Sequence, residues 1–121
     1  MLGAARLLQA EGKWVEARGF LDRALNQSDL GLATEAAYRL GEGLRAAGQN
    51  EEAVDAYMTA AYVAPDSSWG RRALLAAGQS FAALQQTEAA VIVYKKLLAA
   101  SDVEPELAAA ARSRLKALGG N

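Results

Sequence analysis

One pattern of small and bulky residues is written along this chain three times, and it leaves few folds open. Its clearest copy runs from Thr34 to Pro65. Leu40, Gly41, Leu44 and Ala47 fall on one helical stripe, and Ala53, Tyr57, Ala60 and Ala61 fall on a second. Residues three or four apart share a helix face, so each half is amphipathic. Gly48 stands where the first helix must stop and the chain must turn. Asn50 is expected to cap the second helix, with Glu51 and Glu52 in its positive first turn. Pro65 lacks the amide hydrogen that a continuing helix would need.

Moved back 36 places, Gly48 falls on Gly12, Ala53 on Ala17, Tyr57 on Leu21, Ala60 on Ala24 and Ala61 on Leu25. Moved forward 37 places, Gly41 falls on Gly78, Leu44 on Phe81, Ala53 on Ala90, Tyr57 on Tyr94 and Ala60 on Leu97. Small residues meet small ones and large apolar residues meet large apolar ones. Self-similarity at a fixed period predicts a solenoid, in which each unit needs a neighbour to cover its apolar face.

The expected units are 1–28, 29–65 and 66–101, followed by a capping helix over 102–121. The first unit begins inside its leading helix, about Leu2 to Ala10, which suggests a segment of a longer protein; its second helix runs about Trp14 to Asn26. Further helices are expected over about Leu30 to Ala47, Glu51 to Val63, from a Ser67 or Asp66 cap to about Leu84, and from Glu88 to Ala100 behind a Thr87 cap. In that last hairpin Gln85 and Gln86 replace the turn glycine. A final helix from Pro105 to about Leu118 suits proline at its first position and carries Leu107, Ala111, Leu115 and Leu118 on one stripe.

The spacing of Leu40, Gly41, Leu44, Gly48, Ala53, Tyr57, Ala60 and Pro65 resembles a tetratricopeptide repeat. The resemblance implies an all-α, right-handed solenoid of helical hairpins serving as a scaffold for protein–protein interaction. In that family the first helix of each unit lines a concave groove. The corresponding positions are Arg6, Gln9 and Ala10, then Glu35, Tyr38, Glu42 and Arg45, then Arg72, Leu75 and Gln79. An aromatic, an aliphatic and charges of both signs suit a partner's peptide or helix better than a small metabolite. Some chaperone-binding members hold a terminal carboxylate with lysines and asparagines. Leu2, Arg6, Arg39, Arg72 and Ala76 stand at those places here, so that set is not reproduced. The somewhat long period, the Pro65-Asp66-Ser67-Ser68 turn and the closing helix are also similar to a bacterial subgroup, over roughly Ala33 to Leu118. Its members include periplasmic proteins of envelope assembly and cell-division coordination.

Composition narrows the chemistry. With 52% hydrophobic and 22% charged residues, the 121-residue chain is globular rather than disordered. A net charge of −1 gives no general attraction to nucleic acid or anionic membrane. It has no cysteine and no histidine, which excludes thiol catalysis, disulfides, zinc fingers and histidine bases. No apolar run reaches the ~18 residues of a membrane span. Met1 to Gln9 lacks the charged and apolar regions of a secretory signal, and the compartment stays open.

No catalytic constellation emerges. Glu51 and Glu52 fit a helix first turn better than acid–base chemistry. Gly41, Gly43 and Gly48 follow no strand and precede no Gly-Lys-Ser/Thr, so they are not a phosphate loop. Asp22 and Asp55 face outward, against a metal site. Trp14 and Trp69 are expected to pack, Lys95 and Lys96 to face solvent, and Tyr38 to lie off the core stripe near the groove. The expectation is a scaffold with no enzymatic activity and no cofactor. The competing reading is self-assembly through the uncovered apolar side of the first unit, within a larger protein.

Overall fold

The computed structural model describes residues 30–119. Arg6, Gln9, Ala10, Trp14 and the whole of the expected first unit lie outside them. Five helices follow in order: α1 (Leu30–Ala46), α2 (Asn50–Val63), α3 (Ser68–Ala83), α4 (Thr87–Ala99) and α5 (Pro105–Ala117). Each packs on the next, α1 also packs on α3, and α3 on α5. The described residues thus form an all-α helical repeat array. Two hairpins stack side by side and a fifth helix covers the second.

Small side chains dictate the close approach. The first half of the core is mostly alanine: Ala33, Ala36, Ala37, Ala53, Ala56, Ala60, Ala73, Ala76 and Ala77 surround Leu40, Leu44 and Tyr57. The second half gathers Leu74, Ala90, Val93, Tyr94, Leu97, Ala111 and Leu115. Met58 and Phe81 pack against both, so one apolar interior runs through both hairpins. Residues at the copied positions, Tyr57 and Tyr94, are both fully buried.

The helix starts differ from expectation at two places. Asn50 and Thr87 are the first residues inside their helices, not the caps. Gln49 and Gln86 hold the cap positions, and neither makes a side-chain capping bond. The reason is the shortness of the turns. At the end of α1 the Gly48 amide donates to the Arg45 carbonyl and the Gln49 amide to the Leu44 carbonyl, closing a Schellman turn. Gln49 then accepts, through its own carbonyl, the first bond of α2 from Ala53. A single residue finishes one helix and starts the next, which draws Asn50 inside. The same bonds recur one unit later, from Gln85 to Ala82, Gln86 to Phe81 and Ala90 to Gln86.

Ser67 caps α3 as expected: its hydroxyl oxygen accepts from the Gly70 amide at 3.0 Å. Pro105 opens α5 behind Glu104. The loop before α5 is tied back to α3. Glu104 accepts from Arg71 Nε at 2.6 Å and from the Ser68 hydroxyl at 2.9 Å. This clasp holds α5 against α3 and fixes one wall of the groove described next.

Candidate functional site

A helix that exposes every third or fourth residue along one side presents a row of side chains. Two such helices placed in register make a groove. Here α1 supplies Tyr38, Glu42 and Arg45, and α3 supplies Arg72, Leu75, Ala76 and Gln79. Leu107 of α5 closes one end, and the enclosed space is about 270 Å³. Six of the expected groove residues therefore face one another: Tyr38, Glu42, Arg45, Arg72, Leu75 and Gln79. Glu35 does not join them. It lies a turn earlier, and its carboxylate pairs with Arg39 Nε at 2.8 Å.

The polar side of the groove is a connected network. Tyr57 reaches from α2 and donates its hydroxyl to Glu42 Oε1 at 2.7 Å. Arg45 donates to both Glu42 oxygens at 3.2 and 3.3 Å, and to Gln79 Oε1 at 2.7 Å. The Gln79 bond crosses from α1 to α3, so one guanidinium joins two repeat units. Burial and the bond to Glu42 push the Tyr57 hydroxyl far above the ordinary tyrosine range. Burial, then the Glu42 charge, raises Tyr38 too. Both phenols are neutral hydrogen-bonding groups at neutral pH.

The other side is aromatic. Tyr38 lies 5.9 Å from Tyr57 and 5.4 Å from Trp69, ring centre to ring centre, in tilted arrangements. Trp69 packs as expected, and its ring also draws two guanidiniums, Arg39 at 5.6 Å and Arg72 at 5.3 Å. Such contacts contribute roughly 0.5–1 kcal/mol at exposed sites. Arg39 is already paired with Glu35, whereas Arg72 has no carboxylate partner among the described residues. The groove thus offers one uncompensated positive charge beside Leu75, Leu107 and the Tyr38 ring.

Sequence reasoning missed Leu107 as a groove residue. The sequence pattern places it only on the capping stripe, whereas the approach of α5 to α3 involves the Glu104 clasp, 33 residues from Arg71 in the chain. It also missed that Tyr57, a core residue, sends its hydroxyl into the groove network.

Among the described residues no group of acidic side chains could hold a metal ion, and no helix is long and apolar enough to cross a membrane. A comparison with curated proteins finds no match. The tetratricopeptide repeat profile matches residues 35–67 and 72–100, which correspond to the two hairpins and span half of the chain. Repeats of this kind generally act as protein–protein interaction modules and typically serve as non-catalytic scaffolds. With its copied residue pattern, stacked hairpins and matching profile, the chain belongs to the tetratricopeptide repeat family.

Proposed function

We propose that the groove between α1 and α3 holds a peptide or helix of a partner protein. The observation that supports this reading is the division of labour among its side chains. Arg45, Glu42, Tyr57 and Gln79 bond to one another and brace the two helices. Tyr38, Leu75, Leu107 and Arg72 line the same space with apolar surface and a free charge. A braced wall with unspent contact groups loses little freedom on binding, which favours affinity. Aromatic and arginine side chains are also the types that dominate binding energy at protein interfaces.

The test is selection of binders to the whole chain from a random peptide library, followed by mapping. Bound peptides should move the backbone amide signals of Tyr38, Glu42, Leu75 and Gln79. Arg72→Ala combined with Leu75→Ala should weaken them by about tenfold or more, a loss of ~1.4 kcal/mol. Selected peptides that bind this variant undiminished would defeat the proposal, as would a library that yields no binder. Sedimentation at several concentrations checks the competing reading of self-assembly, for which a strict monomer leaves no room.

A further inference from the structure

We propose that a second docking surface, formed by the start of α2 and the end of α3, takes a partner segment that presents a lysine or arginine beside an apolar side chain. Glu51, Val54 and Asp55 of α2 and Phe81, Leu84 and Gln86 at the end of α3 line a cleft of about 250 Å³. It shares no residue with the α1–α3 groove. Its floor is apolar, from Val54, Phe81 and Leu84, and its rim carries two carboxylates. Glu51 and Asp55 stand four residues apart on one helix face, and both are exposed. Neither has an ion-pair partner among the described residues.

Like charges at this spacing destabilise a helix slightly. Glu51 is compensated by its place in the first turn, but Asp55 lies beyond that turn and gains little from the helix dipole. A cation between the two would remove the repulsion. Lysine and arginine are suited to this shape, because their stems pack on apolar surface while the charged head stays at the water boundary. Phe81 also adds an aromatic ring to the lining, and aromatic rings attract a guanidinium.

The second unit does not copy this surface. Moved forward 37 places, Glu51 falls on Glu88, Val54 on Val91 and Phe81 on Leu118, but Asp55 falls on Ile92, which is 65% exposed, and Leu84 on Asn121. The pair of carboxylates is therefore particular to α2. The occupant is a basic segment with an apolar neighbour, its cation at Glu51 and Asp55 and its apolar side chain on Val54, Phe81 and Leu84.

Titration of the whole chain with a blocked peptide alternating lysine and leucine, followed by amide chemical shifts, tests this. Signals of Glu51, Val54, Asp55, Phe81 and Leu84 should move, and a glutamate–leucine peptide should leave them in place. Glu51→Gln with Asp55→Asn should weaken binding by about tenfold or more, and Leu84→Ser in the floor should weaken it by itself. Glu106→Gln, an exposed acid on α5, should change nothing. Binding that ignores both sets of substitutions would overturn the proposal. So would shifts confined to Tyr38, Leu75 and Gln79, or equal binding of the acidic peptide. Movement of the same signals with protein concentration alone would assign the surface to a second copy and likewise overturn it. If the double variant fails to fold, the Leu84→Ser result and the wild-type shift map decide.

Discussion

The ring of Tyr57 fills the space that a side chain on Gly41 would need. A Cβ built on Gly41 would lie 2.5 Å from both Cδ1 and Cε1 of that ring. Gly78 and Tyr94 repeat the arrangement one unit on, with 2.4 Å to Cε1. The pair sets how closely the two helices of a hairpin cross. Neither ring can easily yield: both are fully buried, and the Tyr57 hydroxyl is held by Glu42.

Gly41→Ala and Gly78→Ala should therefore destabilise the protein despite alanine's better helix propensity. The propensity gain is about 1 kcal/mol. Forcing a methyl against a fixed ring costs about 1–3 kcal/mol, here near the upper end. The expected net loss is about 1–2 kcal/mol in urea unfolding for each. An alanine variant as stable as the wild type would show that the hairpins can open without cost.

The two tyrosines should respond differently to loss of the hydroxyl. Tyr57 has a partner in Glu42 Oε1, whereas the buried Tyr94 hydroxyl has none. The copied position differs too: Glu42 moved forward 37 places is Gln79, a neutral amide whose Oε1 accepts from Arg45 and not from Tyr94. Tyr57→Phe should cost about 1–2 kcal/mol, because it removes a hydrogen bond to a charged acceptor. Tyr94→Phe should be neutral or stabilising by up to about 1 kcal/mol, because it removes a polar group buried without a partner. Equal losses in the two variants would contradict this contrast.

The stacking was legible because helix periodicity and copied residue size are local properties. Sliding the sequence along itself matches Gly41 to Gly78 and Tyr57 to Tyr94, but that each glycine meets the tyrosine of its own hairpin appears only in the fold. The helix caps were not legible in the same way. Asn50 and Thr87 are good capping residues, but the Schellman turns place Gln49 and Gln86 there first. Tyr38, Glu42, Arg45, Arg72, Leu75 and Gln79 could be grouped in advance because the family resemblance implies which face of each first helix lines the groove. Leu107 could not, since its place depends on a tertiary clasp. Glu35, expected in the same set, lies outside the space those six enclose and pairs with Arg39, a contact the sequence pattern does not mark.

Turn chemistry supplies another test. Gly48 has φ of +80°, and its copied position is Gln85, with φ of +62°. Glycine accepts that left-handed backbone freely, while a glutamine there is strained by about 1 kcal/mol or more. Gln85→Gly should stabilise the second hairpin by roughly 0.5–1 kcal/mol, less whatever the freer unfolded chain takes back. Gly48→Ala should cost about 1 kcal/mol from backbone strain alone, since a Cβ there would meet nothing within 4 Å. Thermal unfolding of the pair should therefore move in opposite directions. A fall in melting temperature for Gln85→Gly would mean that its side chain contributes more than its backbone costs.

The Glu104 clasp makes part of the stability depend on pH. Its partial burial alone would raise the carboxyl, but bonds from Arg71 and Ser68 outweigh that and hold it below the ordinary glutamate range. A group whose native pKa is depressed stabilises the fold fully above its unfolded value. That contribution fades as pH falls through the native value. Wild type should thus exceed Glu104→Gln by about 1 kcal/mol at neutral pH, a modest figure for a partly exposed ion pair. The gap should narrow only below about pH 4 and close in stronger acid. Arg71 is the more buried partner, with 11% side-chain exposure against 26% for Glu104. Loss of the acid therefore leaves a guanidinium with less than its full solvation, which is why the amide variant should not match the wild type at neutral pH. Urea unfolding of both proteins from pH 3 to 7 measures this directly. A gap that stays constant across that range would show that the clasp acts by shape rather than by charge.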